Sequence, residues 1–159
     1  MDSAHTMPFP HDPTGSPQRL RTMPSRLLAL AAAQGERMVS GSLAEVGARK
    51  WHYALLAVLE DSGPASQAEL SRRTGIYRSD MVAVVNELTD RGMVERAPDP
   101  EDRRRNVITL TEEGSAHLRR LDVILGAVQD DLLAPLDGAE RAQLTALLTR
   151  LLEHHAGRR

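Results

Sequence analysis

The sequence predicts a mainly α-helical protein that carries one small β-hairpin, and three observations support this fold class. Apolar residues recur at helical spacing through most of the chain. After residue 92 the pattern changes to two short extended segments that contain β-branched residues. From residue 112 onward the helical spacing returns. The length of 159 residues is close to that of one domain.

Composition excludes several classes of protein. Hydrophobic residues make up 41% of the chain and charged residues 26%, which is typical of a globular protein. The 20 basic and 22 acidic residues give a net charge of -2, so any nucleic-acid surface has to be local. The absence of cysteine removes disulfides, thiolate metal sites and thiol redox sensing. The longest apolar runs, residues 27–33 and 53–59, are far shorter than the roughly 20 residues of a membrane span. Because no secretory signal is evident either, we expect a cytoplasmic protein.

The N-terminal third is predicted to contain a tail and two helices. Residues 1–18 are rich in proline and serine and are expected to be a disordered tail, followed by a single domain over residues 19–159. Pro24 suits the first position of a long helix to about residue 46, in which Gly35 and Gly41 permit a bend. A second helix over about residues 50–60 stops at the sequence DSGP.

A helix-turn-helix is predicted next. Ser66 and Glu69 match a capping box at the start of a helix over residues 66–73, and Gly75 suits the left-handed turn that follows. The next helix begins near Tyr77 and ends at Gly92. Its buried stripe is predicted from four apolar residues at helical spacing: Met81, Val84, Val85 and Leu88.

The remainder is predicted as a hairpin and two long helices. Strands over residues 94–97 and 106–110 enclose a charged tip. Thr111 caps a helix that Pro135 ends, and Asp137 with Glu140 caps a last helix to about residue 155. The apolar stripes of both helices are broad enough to serve the core and a partner chain. Their members are Leu118, Leu121, Leu125, Val128, Leu132, Leu144, Leu147, Leu148, Leu151 and Leu152.

This order of elements predicts a winged helix-turn-helix, in which the helix after the turn enters a DNA major groove. We call that helix the recognition helix and the hairpin the wing. The DNA-binding residues predicted on the recognition helix are Arg78, Ser79, Asp80, Val82, Ala83 and Asn86. Ser79 suits a phosphate, Asn86 an adenine edge, and Val82 and Ala83 thymine methyl groups. An ordinary solvated helix face is the alternative interpretation.

Three consecutive arginines at the wing tip complete the predicted DNA-binding residues. Arg103, Arg104 and Arg105 would reach a phosphate ridge or a narrow minor groove. Neighbouring acids balance their charge, which favours positioned contacts over general attraction to DNA.

Two motifs stand out in the stretch over residues 53–111: SQAELSRRTG and VNELTDRGMVERAPDPEDRRRNVITLTEEG. By these motifs the stretch resembles the MarR family of transcriptional regulators, and the flanking helices extend the resemblance to about residues 25–155. A symmetric dimer predicts a palindromic operator in double-stranded DNA, and the resemblance implies that the protein is such a homodimer. It implies dimerisation helices over about residues 24–46 and 112–155 and a DNA-binding lobe over 50–111. It also implies that Asp102 pairs with Arg104 to shape the wing and that Arg104 enters the minor groove.

Two residues depart from the family pattern. Tyr77 stands where a small capping residue is usual, and Asp80 where a small hydroxyl residue is common. A carboxylate at that position would accept a cytosine amine or pair with Arg78, but would repel a phosphate.

The resemblance further implies a repressor that a small, often aromatic acid releases from DNA. The candidate effector-binding residues are Arg26, Trp51, His52 and Tyr53, although Trp51 and Tyr53 also suit a core and His52 a satisfied polar residue. No catalytic motif, cofactor motif or metal-ligand spacing is evident, so we expect neither an enzyme nor a cofactor. Two alternatives stay open. One is a winged-helix module that binds a protein instead of DNA, and the other is a DNA-binding regulator without a ligand.

Overall fold

The computed structural model describes residues 15–157, so most of the predicted tail (residues 1–18) lies outside the described residues. Contacts divide the chain into two compact units, the first ending at Glu36 and the second beginning at Arg37. The extent of the tail and the single-domain boundary stay predictions. Within the described part of the chain, no helix is both long and apolar enough to cross a bilayer.

The first unit contains a short helix that the sequence did not predict, α1 (Gln18–Arg21), and most of a long helix, α2 (Pro24–Glu45). Helix α2 begins at the predicted proline, whose missing N–H costs nothing in the first turn. It continues past Gly35 and Gly41 as a single helix. Its last turns belong to the second unit, where Leu43 is fully buried.

The second unit opens with three helices: α3 (Lys50–Ser62), α4 (Gln67–Thr74) and α5 (Arg78–Asp90). Gly63 and Gly75 end α3 and α4 with φ values of 75° and 74°, a region that glycine enters without steric cost. The left-handed turn at Gly75 redirects the chain from α4 into α5. This confirms the predicted helix-turn-helix.

The predicted capping box of α4 forms only in part. The Ser66 hydroxyl accepts a hydrogen bond from the Glu69 backbone N–H at 3.2 Å, as expected. The Glu69 carboxylate does not close the box but pairs with Arg73, one turn further along the helix. A charged partner at i+4 competes successfully with a neutral backbone donor.

The wing is an antiparallel pair of strands, β1 (Val94–Pro98) and β2 (Asn106–Leu110), with Val94 opposite Leu110. Strand β1 is one residue longer than predicted. Ala65, just before α4, adds an isolated bridge to Ile108, with N···O distances of 3.1 and 2.8 Å in the two directions. The bridge joins the wing to the helix-turn-helix, and no local sequence signal predicts it.

Two long helices complete the second unit: α6 (Glu112–Leu132) and α7 (Gly138–Ala156). The predicted caps form, since Thr111 accepts from Gly114 N–H and Asp137 and Glu140 bond each other's backbone. Of the predicted stripe on α6, Leu125 and Leu132 are only half-buried. Helix α7 has no buried residue, and Leu147, Leu151 and Leu152 are 47%, 46% and 73% exposed.

The core lies between α3, α4, α5, α6 and the wing. The predicted stripe of α5 is buried against it, with Val85 and Leu88 at 0% exposure. Its other fully buried side chains are Leu55, Leu56, Leu70, Ile108 and Leu121, joined by Leu43 from the end of α2. Packing one face of α5 this tightly fixes which residues its other face presents to solvent.

Gly114, on the first turn of α6, is expected to tolerate no side chain. An added Cβ would overlap the Met93 carbonyl oxygen and lie 2.7 Å from Leu110 Cδ1. We expect Gly114→Ala to lower the free energy of unfolding by about 1–3 kcal/mol, because backbone at this contact has no room to relax. Gly126→Ala is the matched control on the same helix, where nothing lies within 4 Å of the added Cβ. Urea denaturation measures both, and equal stability of the two variants would contradict the prediction.

Candidate nucleic-acid interface

Helix α5 has one buried and one exposed face, and the DNA-binding residues predicted on this helix all lie on the exposed face. Met81, Val84, Val85 and Leu88 face the core. The exposed residues are Arg78, Ser79, Asp80, Val82, Ala83 and Asn86. Val82, an apolar member of this face, is 46% exposed.

The start of α5 shows how the chain accommodates the two departures from the family pattern. Tyr77 is the N-cap but its side chain makes no capping hydrogen bond, and it is 78% exposed. Asp80 lies in the first turn, where a carboxylate stabilises the unpaired N–H groups of the helix. Among the described residues, Asp80 forms no ion pair with Arg78. The acid therefore adds a favourable charge to a helix end that lacks a side-chain cap.

The wing tip is organised by two carboxylates. Asp102 Oδ1 accepts hydrogen bonds from Arg104 N at 3.1 Å and Arg104 Nε at 3.2 Å, so the implied pair is present. Asp99 Oδ1 accepts from Glu101 N at 2.9 Å. The Arg104 side chain stays 92% exposed, and Arg103 and Arg105 are exposed beside it. The tip presents three guanidinium groups on a braced turn.

The wing and the helix-turn-helix meet at an open depression between α4, the start of α5 and Arg105. Arg78, Arg105, Arg72 and Tyr77 all line it, so two predicted residues from distant parts of the sequence come together. Arg72 was not predicted, and it lies 3.7 Å from Glu69. Its position on the second turn of α4 carries no distinctive local signal.

A second residue that sequence reasoning missed is Arg96 on β1. Its Nη2 donates a 2.6 Å hydrogen bond to Asn86 Oδ1 on α5. Both side chains are exposed. Strand alternation places Arg96 on a defined face of the wing, but only the packing of β1 on α5 shows that this face meets the recognition helix.

A buried histidine ties α5 to the start of α3. His52 is 1% exposed, and its Nδ1 accepts from Arg49 N at 3.2 Å. The proton therefore sits on Nε2, which lies 2.7 Å from Glu87 Oε2 on α5. Burial lowers the pKa of His52 despite the opposing Glu87 carboxylate, and the hydrogen bonds from His52 and Arg49 lower the pKa of Glu87. A neutral imidazole thus holds an ionised carboxylate.

The three candidate effector residues at the start of α3 do not form one cluster. His52 is occupied at both ring nitrogens, and the Tyr53 hydroxyl donates to Asp122 Oδ1 on α6 at 2.9 Å. Trp51 is half-buried with the Lys50 ammonium 5.0 Å from its ring centroid. Consecutive helical residues point in different directions. In the first unit, Arg26 donates to Leu20 O and to Ser16 Oγ, both at 3.4 Å.

Stability is expected to fall in mild acid because of two buried histidines. Burial lowers the pKa of His52 and of His117; Arg120, Arg91 and His52 add to the effect on His117, while Glu113 opposes it. The unfolded chain then binds more protons than the folded one below the ordinary pKa of 6.5, so stability is complete above that pH and decreases below it.

Urea unfolding at pH 7.5 and 5.5 tests this expectation, because the midpoint should be lower at pH 5.5. His117→Leu removes one of the two groups and should reduce the difference. An unchanged pH dependence in His117→Leu would refute the assignment.

Comparison with known proteins gives matches to the MarR family and to transcriptional regulators. A family model described as the MarR family matches residues 48–105. The HTH-type transcriptional repressor NicR of Pseudomonas putida is 32% identical over 101 residues, which are 64% of each chain. A putative transcriptional regulatory protein for the hcr operon of Thauera aromatica is 35% identical over 99 residues, 62% of this chain and 60% of that one. These matches span less than two thirds of either relative.

Among solved structures, the fold is similar to that of the PcaV transcriptional regulator from Streptomyces coelicolor in complex with its natural ligand. The TM-score is 0.72 and the identity 29%, and the match covers 87% of this chain and 97% of the other. The match therefore includes the flanking helices as well as the helix-turn-helix and the wing.

Proposed function

We propose that the chain is a MarR-family protein and acts as a homodimeric, sequence-specific DNA-binding regulator that represses transcription. The observation that carries the proposal is the exposed face of α5, which places small, polar and basic residues beside a wing of three arginines. That combination suits a major groove for the helix and a phosphate ridge or minor groove for the wing.

The exposed leucines of α7 support the homodimer. Leu147 and Leu151 are nearly half exposed and lie one turn apart, and Leu152 is more exposed still. Contiguous apolar surface of this kind usually marks an interface. A symmetric pair of chains would present two recognition helices about 34 Å apart, which corresponds to half-sites one helical turn apart.

We extend the proposal to release from DNA by a small acidic ligand, for which the aromatic acids are the first class to test. A solved relative, PcaV, is described with its natural ligand. Among residues 15–157, which the structure describes, the hydrogen bonds of Arg26 go to neutral oxygens, which leaves its charge available to a carboxylate. The three residues at the start of α3 support the proposal less well, because two of them contact different helices.

A regulator of this kind is not an enzyme, and the proposed role on DNA places it in the cytoplasm.

Selection of bound duplexes from a random pool, followed by titration of the best site at two salt concentrations, tests the proposal. We expect a palindrome, one dimer per site and an affinity that falls steeply with salt, because phosphate contacts release counterions. Absence of enrichment at any salt would refute DNA binding and favour a winged-helix module that binds a protein.

A further inference from the structure

We propose that Asn86 and Arg96 act as one hydrogen-bonding unit, the donor pair, which selects guanine over adenine at one position of each half-site. The inference rests on the proposed function and specifies what part of the recognition surface reads. It also replaces the adenine contact that the sequence predicts for Asn86 alone.

The geometry fixes the orientation of the Asn86 amide. A guanidinium carries N–H donors and no acceptor, so the amide atom 2.6 Å from Arg96 Nη2 has to be the oxygen. A donor that carries a charge makes a short and strong hydrogen bond, as this distance indicates. The Asn86 NH₂ group is then the part of the amide that is left to contact DNA.

The rest of the chain leaves the donor pair accessible. Asn86 and Arg96 are both exposed, one on α5 and one on β1, where the wing packs against the recognition helix. Among the described residues, Arg96 has no carboxylate within ion-pair distance. Its remaining N–H groups and its charge are therefore available beside the Asn86 amide.

The chemistry of base edges converts this arrangement into a preference. A free asparagine offers one acceptor and one donor, which match N6 and N7 of adenine. Arg96 uses one lone pair of the Asn86 oxygen and places a second donor group beside the Asn86 NH₂, so donors predominate in the pair. Guanine presents two acceptors in the major groove, O6 and N7, whereas adenine presents a donor at N6 that would face another donor. The donor pair therefore favours guanine.

The test compares the base preferences of the wild type with those of three variants, each by selection from random duplexes and titration of the selected site. Arg96→Ala frees Asn86 Oδ1, so we expect the guanine at that position to be replaced by adenine, with a change in relative affinity of about tenfold or more. Asn86→Ala should lose the guanine preference without gaining one for adenine. Glu95→Ala is the matched control, because the neighbouring strand residue points to the opposite face.

A second probe separates a base contact from a phosphate contact. Replacing the selected guanine by 7-deazaguanine removes the N7 acceptor, so it should weaken wild-type binding and leave the Arg96→Ala variant unaffected. An equal loss of affinity by Arg96→Ala on every duplex would show that the pair contacts phosphate and would overturn the inference.

The outcomes also separate this inference from the proposed function. No enriched duplex with the wild type would refute DNA binding itself, and the inference with it. A palindrome whose base preferences are identical in the wild type and in Arg96→Ala would leave the regulator intact and overturn only the donor pair.

Discussion

Arg104→Ala is expected to weaken operator binding by about 2–6 kcal/mol per dimer, the largest effect of any single substitution in the wing. One arginine that reaches a groove contributes about 1–3 kcal/mol, and a homodimer carries the substitution twice. The side chain is 92% exposed, and Asp102 braces its backbone and Nε on the protein side. The terminal nitrogens are therefore directed outward without the entropy cost of ordering a free side chain.

Titration of the selected duplex at fixed salt measures the effect of Arg104→Ala, and circular dichroism verifies that the variant is folded. Arg119→Ala is the matched control, since it removes the same charge from an exposed position on α6. An affinity of Arg104→Ala within twofold of the control would refute the assignment of this residue to the DNA.

The double substitution Leu147→Glu with Leu151→Glu is expected to convert the dimer into a monomer and to reduce operator affinity by about 100-fold or more. A symmetric interface would bury four new carboxylates without partners, which costs several kcal/mol. A monomer contacts one half-site and loses the gain from simultaneous binding of two, typically a factor of about 10²–10⁴. Because α7 has no buried residue, the two substitutions remove little packing from the rest of the chain.

Sedimentation measures the oligomeric state, and the same duplex titration measures the loss of affinity. Thr149→Glu introduces a carboxylate on another face of α7, at an exposed position, and should leave the dimer intact. If the double variant sediments as a dimer, or if Thr149→Glu dissociates equally, then this face of α7 is not the interface.

The helix-turn-helix and the wing were predictable because their signals are local. Ser66 caps α4 through an amide three residues away, and Gly75 supplies a backbone angle that few other residues adopt. The spacing of Met81, Val84 and Val85 specifies the buried face of α5 and thereby its exposed one. Each of these signals lies within one or two helical turns. Local signals were not sufficient for Glu69. They predicted that its carboxylate would bond the N-cap backbone, whereas in the structure it pairs with Arg73.

The contacts that define the recognition surface depended on the tertiary structure. Arg96 meets Asn86 only because β1 packs on α5, and His52 meets Glu87 only because α3 crosses α5, 35 residues away along the chain. The Ala65 bridge to the wing has the same origin. Periodicity states which face of an element is buried but not which neighbour covers it. The partner of each side chain, and hence which groups stand beside the Asn86 amide, follows from how the elements pack.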